Sequence, residues 1–211
     1  MSNYSDLIQA ILEGNYVRSV ELTKGALDEG ASPQDIVSSG LQAGMVIVGD
    51  RFGAGDFFIP DMLLASRAVT RSMDVLRPHL SDAEMPTLGR AVIGTVSGDI
   101  HDIGKNLVAM FLRGVGFEVF DLGTGVPVAG FVTAVREHKP DIVGMSALLT
   151  TTMPDMQRVI VALDSAGLLS QVKVIVGGAP VTQRFAAQIG ADGYAPDGGA
   201  AVSLCRKLLR E

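Results

Sequence analysis

The sequence predicts an α/β protein in two parts: an N-terminal four-helix bundle, and a C-terminal doubly wound, five-stranded parallel sheet of the Rossmann-like, flavodoxin-like kind. Residues 1–80 repeat apolar side chains at helical spacing and contain no strand pattern. From residue 90 onward, five short β-branched runs alternate with helical segments. Residues 81–89 are small and polar and are broken by Pro86, which predicts a linker. The expected domains are therefore 1–80 and 90–211.

Glycine and proline mark the ends of the four predicted helices in the first part. The first two helices end near Gly14 and Gly30. Ser32-Pro33 predicts the start of the third helix, because a hydroxyl that can cap a helix precedes the residue best suited to its first position. This helix runs to about Phe52, and Pro60 opens the fourth. Short connections of this kind are typical of an antiparallel bundle.

Nearly continuous apolar strands in the second part indicate a parallel sheet that helices cover on both faces. Strands are predicted at residues 91–96, 117–121, 141–146, 172–177 and 193–195. Helices are predicted at residues 104–114, 128–138, 153–166, 180–189 and 197–210. Doubly wound sheets bind ligands beyond the carboxyl ends of their strands, so we expect the site in the loops after the first, third and fourth strands.

Composition and charge exclude several classes of protein. The 211 residues include one cysteine, Cys205, so an internal disulfide and a Cys-x-x-Cys zinc or redox site are excluded. The net charge of −6 lies in residues 1–89, while residues 90–211 hold 11 Lys/Arg and 11 Asp/Glu without a basic cluster for nucleic acid. No apolar run approaches the ~20 residues of a membrane span, and the N-terminus lacks the pattern of a secretory signal. We therefore expect a cytoplasmic protein that binds neither nucleic acid nor membrane.

The loop after the first strand carries the candidate chemistry. It contains no complete G-x-G-x-x-G, and Gly104-Lys105 is followed by asparagine rather than by the Ser or Thr of a phosphate-binding loop. It does present His101 two residues after Asp99. An imidazole on a loop can bind a transition metal, and a nearby carboxylate can fix its tautomer through the other ring nitrogen.

A second interpretation of this loop stays open: Asp99 and Asp102 are helix caps, and His101 is a surface histidine. A conventional zinc or iron site requires three or four protein ligands. None accompanies His101 in sequence, since His79 falls in the helical part and His138 follows a helix on the opposite edge. A lone histidine suits a metal that arrives with most of its ligands supplied by a macrocycle.

Three short motifs and two helical segments carry a resemblance to a known family. Asp99-x-His101-x-x-Gly104 matches the D-x-H-x-x-G signature of cobalamin-binding domains. Ser146-x-Leu148 resembles the family's S-x-L, and Gly177-Gly178 its paired glycines. Residues 44–52 and 55–60 resemble its helical part. From end to end, the chain resembles the corrinoid proteins of methylamine- and methanol-type methyltransferase systems and the cobalamin-binding fragment of methionine synthase.

The resemblance implies a role for each matching residue. His101 would be the lower axial ligand of cobalt in place of the cofactor's own dimethylbenzimidazole, so that cobalamin binds base-off and histidine-on. Asp99 would hydrogen-bond His101, and Ser146 would extend this relay. The displaced nucleotide tail would run through a slot that glycine leaves open, with Tyr194 and Asp197 near its far end. The expected cofactor-binding residues are Asp99, His101, Asp102, Gly104, Ser146, Leu148, Gly177, Gly178, Tyr194 and Asp197.

The resemblance also implies a function. The protein would carry a methyl group on cobalt between a substrate-specific methyltransferase and a second methyltransferase that serves a thiol or a folate, in methanogenesis or one-carbon metabolism. A corrinoid-reactivating protein is a further candidate partner, and the helical part would cap the corrin. No catalytic residue is expected, because the cofactor carries the chemistry. The alternatives are a cobalamin-sensing regulatory module, which usually adds a DNA-binding segment, and a mutase subunit, which usually lacks the helical cap.

Overall fold

The computed structural model describes residues 4–80 and 87–210. Two compact units make up the chain: Met1–Thr87 with Gly114–Gly116, and Leu88–Arg113 with Phe117–Glu211. The linker expected at 81–89 lies mostly outside the described residues, and the expected roles of the two domains stay predictions. No helix in the described ranges has the length and apolar character needed to cross a membrane.

The first unit is built from helices throughout residues 4–80, as the apolar spacing predicts. Its elements are α1 (Ser5–Leu12), α2 (Tyr16–Asp28), α3 (Pro33–Asp35), a π-helical segment (Ile36–Gln42), α4 (Ala43–Gly53), α5 (Ile59–Leu76) and a 3-10 turn (Arg77–His79). The largest side chains on the repeating apolar faces, such as Ile11, Leu41 and Met62, are fully buried. Their burial is the main stabilising contribution to this unit, because each side chain of this size contributes roughly 1.5–3 kcal/mol.

The third predicted helix departs from α geometry over part of its length. Ile36–Gln42 is π-helical, which the sequence analysis did not foresee. The segment contains serines and Gly40, which are weak helix formers. A Cβ at Gly40 would lie 2.8 Å from Leu7 Cδ2 of α1, so the two helices approach closely at this point. The wider turn therefore occurs where packing against α1 constrains the helix, which is a contact that local sequence does not reveal.

The prediction that the Ser32 hydroxyl caps the third helix is wrong. Ser32 precedes α3 with an extended backbone, and Pro33 occupies the first helical turn, as predicted. The Ser32 hydroxyl, however, donates to Oε1 of Gln34 (3.1 Å) and does not accept from a backbone N–H of the helix. The side-chain amide two residues on therefore competes with the backbone for this hydroxyl.

The second unit is a five-stranded parallel sheet with helices between the strands, as predicted. Its strands are β1 (Gly89–Thr95), β2 (Phe117–Asp121), β3 (Ile142–Ser146), β4 (Lys173–Gly177) and β5 (Gly193–Tyr194). Its α-helices are α6 (Ile103–Gly114), α7 (Val128–His138), α8 (Pro154–Ser165), α9 (Gln183–Ile189) and α10 (Gly198–Leu208). The strand order β2-β1-β3-β4-β5 is that of a flavodoxin-like sheet, and its switch point lies between β1 and β3.

Helices cover both faces of this sheet. From β1 the chain moves to one edge of the sheet to form β2, and from β2 it moves back towards the other edge to form β3, β4 and β5. Because the crossovers are right-handed, this reversal places α6 on the opposite face from α7, α8 and α9. Phe131, Leu163 and Ile189 join the strand valines in one core on the three-helix face. On the other face, α6 and α10 pack so closely that a Cβ at Gly198 would overlap the Phe111 ring. Burial on both faces explains why the strands lack a polar alternation.

Gly144 at the centre of the sheet offers a test of this packing. It pairs with Ile93 of β1, and a Cβ at Gly144 would lie 2.5 Å from Ile93 Cγ2. We expect Gly144→Ala to destabilise the fold by about 1–3 kcal/mol, the usual cost of overpacking. Adding Ile93→Ala removes the obstacle, so the double variant should lose less stability than the two single losses summed. Denaturant unfolding of the four proteins measures the coupling.

Gly25 in α2 provides the control for this cycle. In the part of the chain that the structure describes, no atom beyond the adjacent residues and the backbone of α2 lies within 4 Å of a Cβ built at Gly25. Gly25→Ala should therefore leave stability unchanged or raise it by up to about 1 kcal/mol, because alanine is the better helix former. Strictly additive losses at positions 93 and 144 would contradict the close contact between β1 and β3.

Candidate cofactor site

The loop between β1 and α6 brings His101 to the switch point. Gly98 turns the chain with a φ of +77°, a left-handed conformation that favours glycine. The hydroxyl of Thr95, the last residue of β1, donates to the carbonyl oxygen of His101 (2.9 Å). The end of the strand therefore fixes the backbone of the loop. The His101 side chain is 47% exposed, which leaves part of the ring open to a ligand.

Asp99 is a fully buried carboxylate that joins this loop to the loop after β3. Its Oδ1 accepts from the backbone N–H of His101 (3.1 Å) and contacts His101 Nδ1 (2.7 Å). Its Oδ2 accepts from the N–H groups of Leu148 (2.7 Å) and Leu149 (3.1 Å) and from the hydroxyl of Thr152 (2.9 Å). Oδ1 thus has two hydrogen-bond partners and Oδ2 has three. Through them, this carboxylate links the two loops.

These donors keep Asp99 ionised and set the tautomer of His101. Burial by itself raises the pKa of Asp99, but the hydrogen bonds from His101, Leu148 and Thr152 outweigh it and hold that pKa well below its ordinary value. An ionised carboxylate can only accept, so His101 Nδ1 must carry the hydrogen in their 2.7 Å contact. The lone pair of the neutral imidazole then lies on Nε2. The expected hydrogen bond between Asp99 and His101 is confirmed, and it prepares Nε2 as a metal donor.

The third member of the expected relay is a different residue. The resemblance implied that Ser146 extends the pair, but among the described residues no hydrogen bond joins Ser146 to Asp99. The buried hydroxyl of Thr152 takes that position instead. Ser146 is the last residue of β3, whereas Thr152 lies in the turn before α8 that folds back over Asp99. A role of Ser146 toward the cofactor stays a prediction.

Exposed apolar side chains surround His101. Ile100 in the loop and Ile103 at the start of α6 are 81% and 78% exposed, and Leu148 and Leu149 are exposed as well. An exposed apolar set around a half-exposed imidazole indicates a surface that a ligand or partner covers. Among the described residues, no atom outside its chain neighbours and its own helix backbone would lie within 4 Å of a Cβ at Gly104. The surface fits a broad, largely apolar ligand with a metal at its centre, such as a corrin.

The paired glycines at the end of β4 are required by the protein's own backbone. A Cβ at Gly177 would lie 2.8 Å from the carbonyl oxygen of Ala195. Gly178 has a φ of +122°, and a Cβ there would overlap the carbonyl oxygen of Ala147. The resemblance implied that these glycines open a slot for the nucleotide tail. The structure gives a cause that involves no ligand, so their contact with the cofactor stays a prediction.

Three other expected residues have structural roles of their own. Asp197 accepts from the N–H of Ala200 (2.8 Å) and caps α10. Tyr194 in β5 packs against the hydrophobic core. Asp102 directly precedes α6 and accepts from Nδ2 of Asn106 (3.0 Å). These contacts explain the residues without a ligand, and their cofactor-binding roles stay predictions.

An ion pair that the sequence analysis did not single out lies beside the loop. Lys105 is buried, and its Nζ donates to Oδ1 and Oδ2 of Asp121 (2.6 and 2.7 Å). Burial alone raises the pKa of Asp121, but the hydrogen bonds and charge of Lys105 outweigh it and hold that pKa below its ordinary value. A signal was present in the sequence, since Lys105 shares one helical face with the buried Ala109 and Leu112.

A metal site built from several protein ligands is absent from the described residues. Within 4–80 and 87–210, no group of three His, Cys, Asp or Glu side chains could hold a metal ion. His138 stacks on Phe120 with ring centroids 4.0 Å apart, and His79 ends the 3-10 turn of the first unit.

The residues that sequence reasoning missed differ in the signal they carried. Ile100 and Ile103 are large apolar side chains on either side of His101 within a mostly small and polar stretch, residues 97–104, and this contrast could have identified them. Leu149 follows the S-x-L motif directly. Thr152 is one of three consecutive threonines, and nothing in the sequence distinguishes it from its neighbours.

Comparisons with known proteins cover both units. Two family models, each described as a B12 binding domain, match residues 4–77 and 89–203. The trimethylamine corrinoid protein of Methanosarcina barkeri is 40% identical over 99% of this chain and 99% of its own length. A crystal structure of a novel cobalamin-binding protein from Desulfitobacterium hafniense DCB-2 has 34% identity and a TM-score of 0.83, covering 98% of each chain. A chain of the methanol:cobalamin methyltransferase complex MtaBC from Methanosarcina barkeri has 30% identity and a TM-score of 0.85, covering 97% of this chain and 78% of that one.

The similarity is not confined to the motifs. The family matches span most of the chain, and the trimethylamine corrinoid protein aligns over nearly its whole length. The prepared imidazole and the exposed apolar surface around it suit the same cofactor. This chain belongs to the family of cobalamin-binding corrinoid proteins.

Proposed function

We propose that this protein carries a methyl group on cobalamin between a substrate-specific methyltransferase, which loads it, and a second methyltransferase, which transfers it to a thiol or a folate. The observation that carries the proposal is the 2.7 Å contact between Asp99 and His101, set in an exposed apolar surface at the switch point. The relatives support it: one is named for trimethylamine, and the similar MtaBC structure is a complex with a methyltransferase.

His101 would bind cobalt through Nε2, so that the cofactor is held base-off and histidine-on. Bound cobalamin supplies a cobalt centre that can accept a methyl group and give it up. The chain's own residues orient that centre. Asp99 keeps the proton on His101 Nδ1 and so leaves Nε2 free to bind. Ile100, Ile103 and Leu148 would cover the lower corrin face and exclude water from it.

The remaining expectations complete the proposal. The displaced nucleotide tail would run past Gly104, Leu148, Gly177 and Gly178, with Tyr194 and Asp197 near its far end. Asp102 and Ser146 would be further cofactor-binding residues. Open space at Gly104 supports the first part of this path. Residues 1–80 would act as the cap, 81–89 as the linker and 90–211 as the cobalamin-binding domain. A corrinoid-reactivating protein is a further proposed partner.

Replacing His101 tests the axial ligand. His101→Ala should keep the fold, because the imidazole is half-exposed, and should lose the histidine-on visible spectrum when the protein is titrated with hydroxocobalamin. Circular dichroism checks the fold of each protein. His138→Ala removes the other imidazole of the same unit and should leave the wild-type spectrum intact. A His101→Ala protein with the wild-type spectrum would rule out His101 as the ligand.

Asp99→Asn tests whether the carboxylate organises the two loops. An amide has one accepting oxygen, so its NH₂ group would face donors that now reach a carboxylate oxygen. We expect a loss of about 2–4 kcal/mol in the free energy of unfolding and roughly tenfold weaker cobalamin binding. The control Asp102→Asn changes an exposed carboxylate and should alter stability by less than about 0.5 kcal/mol. Equal stability of the two variants would show that Asp99 does not have this role.

Methyl loading separates a carrier from a sensor. Reduced holo-protein, incubated with a substrate-specific methyltransferase and labelled methylamine or methanol, should gain label in proportion to its bound cobalamin. A second methyltransferase with a thiol acceptor should then remove the label. Apo-protein should gain none. A holo-protein that takes label from no such enzyme, and instead changes the activity of a partner when cobalamin binds, would be a regulatory module.

A further inference from the structure

Lys105 is a buried cation beside the candidate site to which the proposed function gives no role. Its Nζ lies within hydrogen-bond distance of both oxygens of Asp121 (2.6 and 2.7 Å) and of Oδ1 of Asn106 (2.6 Å). The Lys105 side chain is buried, whereas that of Asp121 is 26% exposed. Burying the ammonium group is costly, and an apolar side chain of similar volume often stabilises a fold equally well. Stability alone therefore does not explain why a lysine occupies this position. The hydrogen bonds around the pair indicate a different role.

One hydrogen-bonded route leads from Lys105 to the residue that follows His101. Lys105 donates to the side-chain oxygen of Asn106. Asn106 in turn donates through Nδ2 to Oδ2 of Asp102 (3.0 Å), and its backbone N–H donates to the carbonyl of Asp102 (2.7 Å). Asp102 is the chain neighbour of His101, so this route fixes the C-terminal side of the histidine.

A second route leads from Asp121 to the backbone of His101 itself. Asp121 Oδ1 accepts from the N–H of Gly123 (2.9 Å), and the carbonyl of Gly123 accepts from the N–H of Thr95 (3.0 Å). The Thr95 hydroxyl then donates to the carbonyl of His101 (2.9 Å). The ion pair is the point where this route, at the end of β2, meets the route through the first turn of α6.

We propose that Lys105 is a positioning residue: through its ion pair with Asp121, it holds the His101 loop where Nε2 can bind cobalt. The inference rests on the proposed function, since it concerns how firmly His101 keeps an axial position. Lysine suits the task because one ammonium group reaches acceptors on both α6 and β2. An apolar side chain could fill the same space but could not join the two elements by hydrogen bonds.

The test uses the full chain and a charge-free pair, Lys105→Met with Asp121→Asn. This double variant leaves no buried unpaired charge, and asparagine retains an acceptor for the Gly123 N–H. Its matched control is Lys173→Met with Asp192→Asn, which removes an ion pair (3.6 Å) in the same unit, at the amino ends of β4 and β5. The readouts are the melting temperature of the apo-protein, the dissociation constant for hydroxocobalamin and the visible spectrum of the bound cofactor.

We expect the charge-free pair at 105 and 121 to melt within about 5 °C of wild type. Its dissociation constant should nevertheless rise roughly tenfold or more, the usual effect of losing a group that orients a metal ligand. Its spectrum should show a reduced histidine-on fraction. The control pair should stay within about twofold of the wild-type dissociation constant. A stably folded variant with wild-type affinity and a fully histidine-on spectrum would overturn the proposal.

Two further variants keep the outcome decisive. Asn106→Ala breaks the route from Lys105 to Asp102 without removing the ion pair. If the double variant does not fold, a wild-type dissociation constant and a fully histidine-on spectrum for Asn106→Ala would overturn the proposal that Lys105 positions the His101 loop through α6. His101→Ala, measured in parallel, separates the two levels of inference. If His101→Ala keeps the wild-type spectrum, the proposed function fails and this inference fails with it. If His101→Ala loses that spectrum and the charge-free pair keeps it, only the role of Lys105 is wrong.

Discussion

The buried carboxylate of Asp99 is the interaction on which the site depends. Parallel strands β1 and β3 end side by side at the switch point, and the chain leaves the sheet in the loops that follow them. Asp99 accepts from His101 on its own loop and from Leu148, Leu149 and Thr152 on the other. Charge-assisted hydrogen bonds of this kind offset the cost of burying the carboxylate. The same carboxylate sets the tautomer of the His101 imidazole. Asp99 therefore determines both the geometry of the two loops and which ring nitrogen is available to bind a metal.

The rest of the site extends this arrangement in two directions. Next to the loop, the ion pair between Lys105 and Asp121 joins the first turn of α6 to the end of β2. At the exposed surface, Ile100 and Ile103 remain accessible to solvent although they are large and apolar. Hydrogen-bonded polar groups thus fix the position of His101, while exposed apolar side chains beside it provide a surface for a ligand. Such a division suits a cofactor that brings its own chemistry and needs from the protein one ligand and a defined orientation.

The sequence predicts best those features that depend on residues close together in the chain. The helix at 128–138 and the strand at 117–121 follow from periodicity and have the predicted bounds. The hydrogen bond between Asp99 and His101 follows from a spacing of two residues. Thr152 lies 53 residues from Asp99, and only the fold brings them together. The π-helical turn near Gly40 and the backbone contacts at Gly178 likewise arise from packing between segments, which local pattern does not encode.

The central claim is that an imidazole of this chain, and not the cofactor's own base, is the lower ligand of cobalt. Electron paramagnetic resonance of the Co(II) holo-protein tests it most directly, because an axial nitrogen splits the cobalt signal according to its nuclear spin. The protein is prepared twice, with natural histidine and with ¹⁵N-labelled histidine. We predict that labelling changes the nitrogen splitting and that His101→Ala abolishes the change. A splitting that is the same in both preparations would contradict the account, because the axial nitrogen would then come from the cofactor.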